Sequence, residues 1–242
     1  MTWAETAFWV VAPYLTLAVF VGGLIWRHRY DRFGWTTRSS ELYEKRLLRI
    51  ASPLFHYGLL AVIAGHVIGL FIPESWTDAV GISDRLYHAI ALVTGGIAGL
   101  CTLIGVALLI YRRRTTGPVF MATTRNDKLM YVFLIAAILA GLSTTLLSFF
   151  THETDYRLTV SPWFRSLFVL QPDAAAMSAA GLDFKVHVCV AMALICLFPF
   201  TRLVHALSAP IGYLFRPPIV YRSREKTAGQ ATREPRRGWG EP

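Results

Sequence analysis

The sequence predicts an all-α integral membrane protein with five transmembrane helices, the N-terminus outside and the C-terminus cytoplasmic. Three observations carry that prediction. Of 242 residues, 54% are hydrophobic and 16% charged, against roughly a quarter charged in soluble domains. Five stretches, about 4–26, 47–72, 86–111, 129–150 and 183–208, reach the ~20 apolar residues that cross a bilayer core. Lys and Arg, finally, collect between alternate spans.

The first span is preceded by Glu5 rather than by basic residues and has no small-residue cleavage site. It is expected to stay as a helix, with Pro13 marking a place for a bend. Arg27, Arg29, Arg32, Arg38, Lys45, Arg46 and Arg49 follow it. The second span, "SPLFHYGLLAVIAGHVIGLF", holds two histidines and leads through a short connection with Arg85 to the glycine-rich third. Arg112, Arg113, Arg114, Arg125 and Lys128 separate the third from the fourth. The connection 151–182 carries Arg157, Arg165 and the run Pro162, Trp163, Phe164, and is expected to lie at the interface. The fifth span, about 183–208, has Lys185 just inside its start and Arg202 near its end, and leads to a basic tail.

Twenty of the 24 Lys and Arg residues thereby fall on one side, and that side is cytoplasmic by the positive-inside rule. The chain divides into a membrane domain, 1–215, and a polar basic tail, 216–242, whose composition beyond about 223 predicts disorder. The net charge of +9 is a topology signal, so nucleic acid is not a partner. Cys101, Cys189 and Cys196 lie within apolar segments and read as small core residues.

Four of the seven histidines, His56, His66, His187 and His205, lie within spans. A neutral imidazole keeps a donor and an acceptor, and leaving either unpaired in hydrocarbon costs a few kcal/mol. Span direction pairs them by depth: His56 with His205 toward the cytoplasm, His66 with His187 toward the exterior. The intervals are about 15 Å and about 27 Å of helical rise, and eighteen residues return His187 and His205 to one face. Zinc wants four ligands, and neither pair has a third or fourth. Haem iron needs only two, because the porphyrin supplies the rest. Small residues nearby (Gly58, Ala61, Ala64, Gly65, Gly69) suit a flat macrocycle or, equally, close helix packing. A transporter with a histidine proton relay would place carboxylates at mid-depth, whereas these spans offer only Glu5 and Asp183, at their ends.

"RSSELYEKRLLRIASPLFHYGLLAVIAGHVIGLFIPESW", "ALVTGGIAGLCTLIGVALLIYRRR", "ATTRND" and "FKVHVCVAMALICLFPFTRLVHALSAPIGYLFRP" together resemble the respiratory nitrate reductase gamma subunit, a dihaem cytochrome b of the bacterial cytoplasmic membrane. The resemblance implies two b haems with His56, His66, His187 and His205 as axial ligands. It implies quinol oxidation near the outer haem and electron delivery to an iron–sulfur beta subunit and a molybdenum alpha subunit that reduces nitrate. A related dihaem cytochrome b of another quinone-linked reductase, of sulfur-cycle type, is the alternative. Where the family carries a lysine implicated in quinol binding, "SDRLYHAI" has Leu86 flanked by Arg85 and His88. Gly65, Gly69, Arg85 and His88 are the candidate quinol contacts. Arg49, Arg112 and Arg202 are candidates to pair haem propionates, or else meet lipid phosphate. Tyr213, Phe215 and Tyr221 in the basic C-terminal part are candidates to dock the partner, or to sit on anionic lipid.

Overall fold

The computed structural model describes residues 2–35, 40–151, 155–208 and 215. Among these there are helices and turns and no strand. The tail 216–242, together with Arg38, His152 and Tyr213, lies outside the described residues.

Five helices are long and apolar enough to cross a membrane. They are α1 (Trp3–Tyr30), α2 (Leu48–Phe71), α4 (Asp84–Thr115), α6 (Arg125–Thr151) and a fifth, Leu182–Phe200, made of α9 (Leu182–Leu197) and the short 3₁₀ turn that continues it. Short helices fill the connections: α3 (Glu74–Ala79), α5 (Gly117–Met121), α7 (Val160–Phe168) and α8 (Ala174–Ala179). At most 28% of any span's apolar window is buried, and Leu15, Leu60, Ile97 and Leu146 are exposed. Such a surface would be untenable in water and is what lipid requires.

Neighbouring helices approach through glycine. A Cβ on Gly58 would lie 2.7 Å from Thr102 Oγ1, and one on Gly105 2.5 Å from the Phe55 nitrogen, so α2 and α4 pack backbone to backbone. Gly99 takes Leu142 of α6 in the same way. Gly58 is therefore a packing glycine. Phe55, Val106, Met130 and Leu134 form the core that joins α2, α4 and α6. The helix α9 packs on α6 and α1, but α2 and α9 are not closely packed; they face each other through side chains.

Two expectations are corrected. The fifth span is not one helix to residue 208. Pro199 lacks an N–H and clashes with the preceding turn, so α9 stops at Leu197 and two 3₁₀ segments follow, Phe198–Phe200 and Arg202–Ser208. Thr201 between them is extended, at φ −119° and ψ −179°. His205 thus stands on a redirected segment, and the His187–His205 interval is not a straight helical rise. The connection 151–182, likewise, is not an open loop but carries two helices. Its helices α7 and α8 fold over the bundle end, where Trp163, 3% exposed, packs edge-on against Trp9 at 5.9 Å. Its indole donates to the Trp9 carbonyl at 3.0 Å, and Ser161 donates to the Gly69 carbonyl at 2.9 Å.

Candidate functional site

The four span histidines come together as two pairs across the space between α2 and the last span. The ring centres of His56 and His205 are 6.0 Å apart, and those of His66 and His187 are 5.9 Å apart. Each α2 histidine is oriented by its own helix. His56 Nδ1 lies 2.7 Å from the Ser52 carbonyl, and His66 Nδ1 lies 2.8 Å from the Val62 carbonyl. A carbonyl only accepts, so Nδ1 carries the proton and the lone pair is on Nε2. His205 Nδ1 likewise meets the Arg202 carbonyl. His187 differs. Its Nδ1 is buried without a hydrogen bond of good geometry, the Ala137 carbonyl being the backbone group placed to serve it. Its ring lies against Gly141, where a Cβ would come within 3.1 Å.

Among the described residues no three His, Cys, Asp or Glu gather as a metal cluster. An ion held here needs a ligand set that brings its own remaining donors. An imidazole nitrogen binds a metal at about 2 Å, and its ring centre lies about 1 Å farther, so two rings trans across one ion stand about 6 Å apart. Both pairs have that spacing. The residues present fit a haem iron at each.

The end nearer His205 is built from buried arginines. Arg27 of α1 donates to the carbonyls of Pro199 at 2.6 Å and Thr201 at 2.9 Å, serving acceptors released where α9 breaks. Arg202 gives Nε and Nη2 to the two oxygens of Asp127, each at 2.7 Å. Asp127 also closes a reciprocal cap with Thr124 at the start of α6. Arg112, 2% exposed, places its donors on Glu44 and Ser40. Bonds from the Leu47 and Arg112 donors hold the Glu44 carboxyl below the usual range. Arg112 thus has its donors on protein acceptors, Arg202 has the Nε and Nη2 edge of its fork on Asp127, and Arg49 is exposed.

At the opposite end the candidate quinol contacts separate. Gly65 faces open space and Arg85 is exposed. Gly69 is covered, because Tyr156 Oη stands 3.1 Å from where its Cβ would be. His88 Nε2 lies 3.2 Å from Asp155 Oδ2. Sequence reasoning missed Asp155, Tyr156, Asp127 and Arg27. Of these only Asp127 had a local signal, the Thr-x-x-Asp cap in "TRND".

The model of a protein family described as nitrate reductase gamma subunit matches residues 5–224. The chain belongs to the nitrate reductase gamma subunit family. It is 42% identical to the nitrate reductase gamma chain of Bacillus subtilis, over 89% of this chain and 97% of that one. It is 34% identical to the respiratory nitrate reductase 2 gamma chain of Escherichia coli, over 90% and 96%. Nitrate reductase-like protein NarX of Mycobacterium tuberculosis is 61% identical over 96% of this chain. The chain spans only 36% of that relative. Gamma subunits are membrane subunits of the cytochrome b type, so haem is the implied cofactor, and the five membrane-capable helices agree with a multi-pass membrane protein.

Proposed function

We propose that this chain is the quinol-oxidising dihaem subunit of a membrane-bound nitrate reductase. The observation that carries the reading is the pair of opposed imidazole couples, at 6.0 and 5.9 Å, on two levels of one bundle. His56 and His205 hold the inner haem and His66 and His187 the outer. The basic end, with Arg29, Arg46, Arg49 and Arg113, faces the cytoplasm, where an iron–sulfur beta and a molybdenum alpha subunit dock. Bound there, the two b haems supply one-electron carriers that join quinol oxidation outside to nitrate reduction inside, contributing to proton motive force. Gly65, Arg85 and His88 border the quinol, with Gly69 beneath Tyr156 as its floor, and Arg49 meets a propionate. With an imidazole on both faces, neither iron keeps a position for nitrate, so reduction belongs to the partners.

The test is the reduced-minus-oxidised visible spectrum of the purified chain with its haem content. The expected result is b-type bands and two haems per chain, extractable because the sequence has no C-x-x-C-H attachment motif. Nitrate added to quinol-reduced membranes reoxidises both. One haem or none, or haems that nitrate leaves reduced, overturns the reading.

A further inference from the structure

His88 of α4 and Asp155, which precedes α7, are 67 residues apart in the chain and meet at 3.2 Å. Asp155 Oδ1 accepts the Arg157 backbone N–H at 2.8 Å, which fixes the carboxylate. An ionised carboxylate only accepts, so Nε2 of His88 carries the proton and Nδ1 carries a lone pair. No described residue donates to that Nδ1. The pair lies at the level of the outer histidines. Tyr156, next to Asp155, covers Gly69, three residues after His66, and its ring lies 6.3 Å from Phe184, three residues before His187. The Tyr156 ring is also 6.5 Å from His88.

The neighbouring ionisable groups have other work. Arg157 is tied to Asp84 at 3.1 Å and Thr77 at 2.6 Å, and lies over the Tyr87 ring at 4.0 Å. Tyr156 donates to the Tyr87 hydroxyl, and burial first, then that bond, pushes its own hydroxyl up, so it stays protonated. Arg85, on the same helix, is exposed, and the α2 residues packed near Tyr156, Gly69 and Leu70, carry no ionisable group. The His88 side chain is 36% exposed.

We infer that His88, held by Asp155, is the group that takes the quinol proton. This rests on the quinol-oxidising reading above. The O–H bond of a quinol hydroxyl breaks and an N–H bond forms at His88 Nδ1, while the electron leaves to a one-electron acceptor, which a ferric haem held by His66 and His187 would supply. The imidazolium, paired with Asp155, gives its proton to outside water. A second round removes the other proton and electron and leaves quinone. Asp155 is a positioning residue: it sets the tautomer and stabilises the imidazolium, as carboxylates behind catalytic histidines do.

The experiment is stopped-flow reduction of the outer haem by a short-chain quinol, in membranes holding the whole complex, as a function of pH and in D₂O. His88→Gln keeps an N–H toward Asp155 but cannot accept a proton; Asp155→Asn keeps an acceptor for Nε2–H but carries no charge. The expected result is a fall of about 100-fold for His88→Gln, with the acid limb of the pH profile and the solvent isotope effect abolished. Asp155→Asn slows the same step and moves the acid limb to lower pH. Haem spectra and binding of a fluorescent, redox-inert hydroxyquinoline quinol analogue stay at the wild-type level in both. Wild-type rate and pH profile in either variant overturn the assignment and leave the pair as a structural tie. Should His88→Gln lose haem, Asp155→Asn decides. Failure of quinol to reduce the wild-type complex refutes the underlying reading instead.

Discussion

Asp127 and Arg202 grip each other through two bonds of 2.7 Å, and the carbonyl of that arginine receives the Nδ1 proton of His205. One carboxylate thus fixes, through one arginine, the direction in which His205 points. Removing one partner of a buried pair costs about 3–5 kcal/mol. Asp127→Ala is therefore expected to lower the yield of folded protein and to shift the spectrum and potential of the inner haem while leaving the outer one unchanged. Exchanging the two residues, Asp127→Arg with Arg202→Asp, restores part of the inner signal. Redox titration of the two haems checks this.

The two histidine pairs are expected to fail differently. Replacing His66 or His187 with a non-ligand removes one haem and, with it, reduction by quinol. Replacing His56 or His205 removes the other, and quinol then still reduces the haem that remains. Rapid-mixing spectra of the four variants read this directly. Reduction surviving in the His66 variant but not in the His56 variant reverses the proposed direction of entry.

Gly58 and Gly105 let α2 and α4 touch, with future Cβ positions 2.7 Å from Thr102 Oγ1 and 2.5 Å from the Phe55 nitrogen. Gly105→Val forces backbone apart rather than a side chain aside, and overpacking of this kind costs about 1–3 kcal/mol. On the proposed reading both haems should be lost at a lower temperature, because α2 carries His56 and His66. Thermal release of haem, followed by absorbance, measures it; an unchanged midpoint contradicts the contact.

Glu44 sets a pH limit on the same end of the bundle. Its folded carboxyl is lowered by the Leu47 N–H and by Arg112, so it stabilises the fold above the unfolded carboxylate range. That contribution is lost as pH falls through its lowered folded value. Protection of the Leu47 and Leu48 amides from hydrogen exchange, measured against their intrinsic rates at each pH, should fall on acidification in the wild type, and should already be low at neutral pH in Glu44→Gln.

Topology gives a further check. Reporter fusions after Arg114 should report cytoplasm and fusions near Asp78 the exterior. The opposite pattern would exchange the faces of the two histidine pairs.

The spans were legible because their signal is local: an apolar run of sufficient length states its own destiny in a membrane. The histidine pairs were legible for a similar reason, since position along a span of known direction is depth. The break at Pro199 was hidden because apolar residues resume on both sides of Thr201 and Arg202, so the run reads as one span with a proline in it. Trp163 read as an interfacial aromatic because only the fold brings Trp9, 154 positions earlier, beneath it. Asp155 met His88, and Asp127 met Arg202, across 67 and 75 residues. A pairing over such distances leaves no periodicity to read.

The interruption of the last span also sets an order of construction. His66 and His187 stand on unbroken helices and are positioned once those helices lie side by side. His205 depends on Arg27, which grips Pro199 and Thr201 across 172 and 174 residues, and on Asp127. Contacts so far apart in sequence close late. The level of His66 and His187 is therefore completed first, and that of His56 and His205 only when the segment after Leu197 has been made and has folded back.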